Sequence, residues 1–297
     1  MACISFILQD TLATVPSEMG SQGDKQDVAK IYGALHSCIS KLPKDQLRRV
    51  VHIAVCGQMH GVMLWKAGAG WSRNTRDQLV VGGEISALYT WQDGRCTPDF
   101  LESLPFPQSH LGLSTGYGCA TIFWFLKHKK EFLQKFDRYC VTHCLPPHCS
   151  LSRCGTVMDF VVSMMLDLST PVTTVQNAAS FGYFDCIGQQ WNTEVLAGAG
   201  FPVNLLPSVI SSSDTAGCLP HDWFDIPAGT PVSAAMGDLQ CSVKSTLEDI
   251  DHDAVVNVST SAQMAFVKPE DFQPSHCQPG DPRTPIEFFP YFEVLYS

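Results

Sequence analysis

Four short polar signals between Gly57 and Ala262 carry residue types that could act together on an alcohol. In chain order they are Gly57-Gln58-Met59-His60-Gly61, Trp91-Gln92-Asp93-Gly94-Arg95, Gly237-Asp238 and Asn257-Val258-Ser259-Thr260-Ser261-Ala262. Phosphoryl transfer to a hydroxyl needs a carboxylate that orients the hydroxyl and accepts its proton, and Asp238 is a candidate for it. An aspartate at a strand-to-helix step is also an ordinary helix cap, and the two roles are compatible because the positive helix end favours an ionised carboxylate. Gln58 and His60 offer donors and acceptors suited to sugar hydroxyls, with Gly57 and Gly61 leaving the backbone room to approach a ligand. A tight turn with a satisfied histidine has the same composition. Trp91, Asp93 and Arg95 combine an aromatic platform, a carboxylate and a guanidinium, and would share one face if extended; a surface ion pair is the plainer reading. Ser259-Thr260-Ser261 could present hydroxyls and N–H groups to phosphates, although hydroxyl-rich turns are common.

These signals need elements to hold them at strand exits, where open α/β sheets bind ligands. Residues 9 to 26 are polar and patternless, which predicts an irregular lead-in. From Gln26 to Leu42 apolar residues recur at helical spacing, and Pro43 closes the segment. Val50 to Cys56 is apolar apart from His52 and predicts a parallel strand buried on both faces. Gly116 to Phe136 predicts an aromatic-rich helix whose stripe belongs to the core, and Gly155 to Leu168 a buried one. Residues 200 to 230 read as loop with brief extended pieces. Pro231 to Ala235 predicts a strand, Gly237-Asp238 a helix start running to about Leu247, and Ala254 to Val258 with Ala262 to Val267 a hairpin.

Bulk composition narrows the function classes. The 297 residues are 45% hydrophobic and 16% charged, with a net charge of −10 and a mean hydropathy of +0.03. A globular core is well supplied, and the acidic balance argues against a nucleic-acid partner. The basic run Lys127-His128-Lys129-Lys130 reads as the solvated face of a helix. Met1 to Leu8 lacks a basic leader, and Val157 to Leu168 is too short to span a bilayer, so no membrane partner is expected. Thirteen cysteines without framework spacing predict free thiols in a reducing cytoplasmic setting. Cys140, His143, Cys144, His148, Cys149 and Cys154 form a dense segment whose spacing fits no familiar zinc knuckle, and a surface loop is expected there. A zinc-stabilised module is the reading it would otherwise support. Walker-type and Rossmann glycine motifs are missing from the sequence.

The order of the four signals resembles the FGGY family of carbohydrate kinases, over roughly residues 25 to 292. The resemblance implies an α/β, actin-like (ribonuclease H-like) ATPase fold with its N-terminal lobe nearly complete and its C-terminal lobe truncated. Residues 1–24 would be lead-in, 25–250 the sugar-binding lobe and 251–297 the start of the nucleotide lobe. The Gln-Met-His-Gly turn matches the ketose-kinase form of the family, implying ATP-dependent phosphorylation of a ketose, with sedoheptulose the first candidate. By this resemblance Asp238 is the base. Gln58, Met59, His60, Trp91, Asp93, Arg95 and Asn177 are substrate-side residues, and Thr260 and Ser261 meet the phosphates of ATP. Mg²⁺ would be held mainly through water and phosphate oxygens, with no dedicated protein ligands. Met1 to Asp24 lacks the Asp-x-Gly-Thr hairpin with which relatives begin, and the family's glycine-rich adenine site lies beyond the last matching motif. The expectation is therefore a chain that phosphorylates poorly alone, with a non-catalytic sugar-binding or interaction fragment as the alternative.

Overall fold

The Met63–Lys66 strand divides the core, because alternate residues of a strand face opposite ways. Val62 and Leu64 join one apolar cluster with Tyr117, Ile122, Phe123 and Phe125. Met63 and Trp65 join another with Val28, Tyr32, Met158 and Phe160. Leu88 and Tyr89 alternate in the same way between the two clusters. The result is a helix–sheet–helix sandwich in the computed structural model, which describes residues 13–137, 152–249, 251–258, 262–269, 272, 275 and 276.

The central sheet is assembled from short pieces. Thr14–Val15 and Lys25–Gln26 pair antiparallel, and Lys25–Gln26 pairs with Leu88–Tyr89. An antiparallel bridge from Tyr89 to Val62 reaches the dividing strand, whose other edge pairs antiparallel with Ser152–Gly155. The stretch expected to be irregular therefore enters the sheet, and a domain boundary after residue 24 would cut through it. Two parallel pairings carry the site: Val172–Thr174 with Ser208–Ile210, and Cys56–Gly57 with Met236–Gly237.

Helix ends follow local chemistry. Val28–Ile39 is capped by Asp27, whose carboxylate accepts from the Lys30 N–H. Val157–Leu166 starts on a capping box between Thr156 and Asp159 and is buried along its whole length. The helix expected over 116–136 is two, Gly118–His128 and Lys130–Asp137. The backbone leaves the helical region at Lys129, and the bend lets Phe132 stack on Phe125 at 4.5 Å between centroids. Its aromatic stripe is core, as expected.

One expectation fails outright. Val50 to Cys56 is not buried on both faces: Val51, Ala54 and Cys56 are exposed, while Ile53 and Val55 are half-buried. Its backbone pairs on one side with the segment from Pro231 to Met236, and no layer covers the alternate face among the described residues. Within the cysteine-rich segment, Cys140, His143, Cys144, His148 and Cys149 lie outside the described residues. Cys154 belongs to the dividing sheet, fully buried in the aromatic cluster, so it is a core residue and not a member of a loop cluster. The described cysteines are free thiols, and no helix among the described residues is long and apolar enough to cross a membrane.

Candidate functional site

A register of two residues brings the ends of the polypeptide's polar signals together. Cys56 pairs with Met236 and Gly57 with Gly237 in parallel. The Gln58-Met59-His60 turn and Asp238 therefore leave adjacent strands at the same edge. Gly237 permits this approach: a Cβ there would lie 2.6 Å from the Met59 sulfur. Met59 is buried beneath the turn. Asp238 opens the Asp238–Thr246 helix with Gly237 in the capping position. Its side chain is exposed, and Oδ1 accepts from the Leu239 N–H at 2.9 Å. Partial desolvation holds its carboxyl above the ordinary aspartate range, against the pull of the Leu239 and Asp238 N–H groups.

His60 occupies the left-handed region at φ 68°, an uncommon conformation for a residue with a Cβ and one often found at functional sites. Two contacts hold it there. Its ring stacks on Tyr117 at 4.8 Å and 5°, and Nδ1 donates to the Ser180 carbonyl at 3.0 Å. A carbonyl can only accept, so Nδ1 carries a proton. Burial lowers the pKa of the ring, opposed by the Ser180 bond, which favours the neutral form with Nε2 as an acceptor. Gly61 then passes so close to the Tyr89 carbonyl that a Cβ would stand 2.7 Å from it. Gln58 Nε2 donates to Gln26 Oε1 at 3.0 Å, fastening the turn to the sheet.

The Val175–Phe181 helix closes the ring of contacts. Its Ser180 carbonyl holds His60, and Asn177 Nδ2 donates to the Ala235 carbonyl at 3.0 Å. The Thr174 hydroxyl donates to the same carbonyl at 3.0 Å. This helix thereby bridges the His60 turn and the strand leading to Asp238. Asn177 is buried, and its Oδ1 and both amide atoms of Gln176 lack hydrogen-bond partners among the described residues.

Trp91, Asp93 and Arg95 do not share a face. Trp91 lies in a turn and is 38% exposed, whereas Asp93 and Arg95 are buried. Thr90 starts that turn by accepting the Asp93 N–H, so the alternation expected of an extended strand is lost. Arg95 Nε and Nη2 reach the two Asp93 oxygens at 2.6 and 3.0 Å. The Asp24 N–H also donates to Asp93 Oδ2 at 3.0 Å. The guanidinium lies over Tyr89, Trp124 and Phe125, 4.4 to 5.0 Å from their centroids. The pair is thus a packed strut. Trp91 alone of the three faces solvent, and its carbonyl abuts Gly116 at φ +81°, beside the Tyr117 that stacks on His60.

Gln58, Met59, His60, Asp238 and Asn177 are brought together, and Trp91 borders them through Gly116 and Tyr117. Asp93 and Arg95 support that border from behind. Thr260 and Ser261 lie outside the described residues. Tyr117, Ser180 and Gln26 join the site with no signal in their local sequence, since only long-range contact places them. An α/β sandwich with a carboxylate and a polar turn at adjacent parallel strand exits has the arrangement in which open α/β sheets bind ligands.

Known proteins point the same way. The xylulose kinase from Rhodospirillum rubrum superposes with a TM-score of 0.61 at 14% identity, covering 82% of this chain and 46% of that one. Ligand-bound xylulose kinase from Lactobacillus acidophilus gives 0.58, also at 14% identity, with coverage of 84% and 47%. At such identities these likenesses establish the actin-like fold. The model of the FGGY family of carbohydrate kinases, N-terminal domain, matches residues 9–244, and the chain belongs to that family. It is 47% identical over 279 residues to the sedoheptulokinases of Homo sapiens and Mus musculus, covering 93% of this chain and 55% of each relative. The chain thus spans about half the length of those relatives.

Proposed function

We propose that this chain carries the sugar-binding side of an ATP-dependent ketose kinase, with sedoheptulose as the acceptor and sedoheptulose 7-phosphate as the product. The observation that carries the reading is the parallel register of Cys56–Gly57 with Met236–Gly237, which sets Asp238 beside the Gln58-Met59-His60 turn. The identity to two sedoheptulokinases supports the choice of ketose.

ATP supplies the phosphoryl group. This chain's own residues would bind and orient the acceptor. Asp238 accepts the proton of the attacking hydroxyl, and its raised pKa makes it a stronger base at neutral pH. His60, Gln58 and Asn177 Oδ1 would supply polar contacts to the sugar hydroxyls, and Trp91 offers an apolar wall. Asp93 and Arg95 act by holding that wall. Among the described residues no cluster of three or more histidine, cysteine or acidic side chains could cage a metal. On this reading Mg²⁺ would arrive on the ATP phosphates with its own water shell, and the compartment we assign is the cytoplasm.

Thermal melts with sedoheptulose or glycerol, paired with sedoheptulose-dependent ADP release, test the reading. Sedoheptulose raising the melting temperature while glycerol does not, with ADP release above the sugar-free rate, supports it. No shift with sedoheptulose overturns it, and a shift without ADP release leaves a sugar-binding module.

A further inference from the structure

The extended segment that leads into the Gln58 turn is bonded along one edge only. The Ile53 N–H donates to the Pro231 carbonyl and the Ile53 carbonyl accepts from Ser233, both at 2.9 Å. The Val55 carbonyl accepts from Met236 at 3.0 Å. Successive residues of a strand direct their backbone groups to opposite edges, so His52 and Ala54 present theirs away from this partner. No backbone hydrogen bond reaches either of them among the described residues. Val51 is 81% exposed, and His52, Ala54 and Cys56 are exposed as well. Strands in parallel sheets are ordinarily covered, and a bare edge is a template for one more strand.

We propose that this edge is the docking surface for a strand from the chain itself, residues 3–8, paired parallel to residues 51–56. Cys3-Ile4-Ser5-Phe6-Ile7-Leu8 lies outside the described residues. It is apolar apart from Ser5 and carries β-branched and aromatic side chains, the composition of a parallel strand with a neighbour on each side. The other aromatic run outside the described residues, Phe288-Phe289-Pro290-Tyr291-Phe292, is broken by a proline that would forfeit a ladder bond. Connectivity sets the direction. The Ala13 carbonyl accepts from the Asp27 N–H at 2.8 Å, and Thr14 lies opposite Gln26, whose side chain meets that of Gln58 at 3.0 Å. Ala13 therefore stands toward the Gly57 end of the open strand. The five steps from Leu8 to Ala13 span at most about 18 Å, whereas the six from Val51 to Gly57 already cover about 20 Å. Leu8 thus falls at the Gly57 end and Cys3 toward Val51, which is the parallel arrangement. The antiparallel one would start the connection at the Val51 end, beyond its reach.

Hydrogen exchange of the full chain, followed by mass spectrometry, tests the docking. Phe6→Pro combined with Ile7→Pro removes the backbone donor at whichever of the two positions faces the edge. Amides of residues 51–56 should then exchange about tenfold faster or more than in the wild type. Amides of Val157–Leu166 should keep their rate, which shows that the fold is intact. Should the double variant fail to fold, Phe6→Asp leaves the donors in place and gives the same comparison through the lost apolar contact. Equal exchange of residues 51–56 in wild type and variant overturns the proposal. So does protection that rises with protein concentration and survives the substitutions, which would put a second copy on the edge. No sugar or nucleotide enters this readout, so its failure leaves the kinase reading untouched.

Discussion

At the residue scale, Asp238 and Glu18 show how different surroundings give two carboxylates different work. Asp238 is exposed at a helix start with one short backbone contact, so Asp238→Asn preserves size and the Leu239 bond while removing the carboxylate we propose as the base. On the proposed reading any sedoheptulose-dependent ADP release falls by about 10²- to 10⁴-fold while the sugar-induced melting shift persists; loss of the melting shift would show a structural role instead. Glu18 bonds Lys25 at 2.9 Å and lies 3.5 Å from Arg95. Burial alone would raise its carboxyl, but the Lys25 bond, its backbone contact and the two cations bring it to about 2 from 4.5. A depressed carboxyl stabilises the fold above its unfolded value and loses that contribution as pH falls through the folded one. Glu18→Gln should therefore cost about 1 kcal/mol at pH 7, discounted for its partial exposure. Denaturant titrations should show the gap closing between pH 4.5 and 2.

At the element scale, loops are held by struts that local sequence does not reveal. The Asp93–Arg95 pair ties the turn after Leu88–Tyr89 to the lead-in through Asp24 and Glu18. Removing one partner of a buried pair strands the other charge, at about 3 to 5 kcal/mol. Asp93→Asn should lower the urea midpoint by a corresponding amount and loosen the Trp91 border. Normal stability with lost sugar binding would instead place Asp93 in direct contact with substrate. The spacing of Trp91, Asp93 and Arg95 was legible in the sequence; their split between surface and core was not, because a turn at Thr90 breaks the alternation.

At the scale of the whole molecule, the described residues leave apolar surface uncovered. The Ala254–Val258 and Ala262–Phe266 strands pair antiparallel as expected, yet Val256, Val258, Met264 and Phe266 are 50 to 75% exposed. Contiguous exposed apolar residues on a two-stranded ribbon favour self-association. Val258→Lys with Met264→Lys should reduce concentration-dependent light scattering at an unchanged melting temperature. Equal scattering would place the sticky surface elsewhere. The exposed face of Val50 to Cys56 belongs to this scale too, since whether a strand is covered depends on neighbouring layers and not on its own hydrophobicity.

The sequence by itself determined the α/β character, the core helices, the terminal hairpin and the Gln58-Met59-His60 and Gly237-Asp238 steps, because periodicity and turn chemistry act over a few neighbouring residues. Tertiary structure alone decided that Gly57 lies beside Gly237 and that Tyr117 and Ser180 hold His60. Each of these contacts joins segments more than fifty residues apart. They arise when strands pair in register and layers close over them, and no local preference encodes which distant partner will arrive.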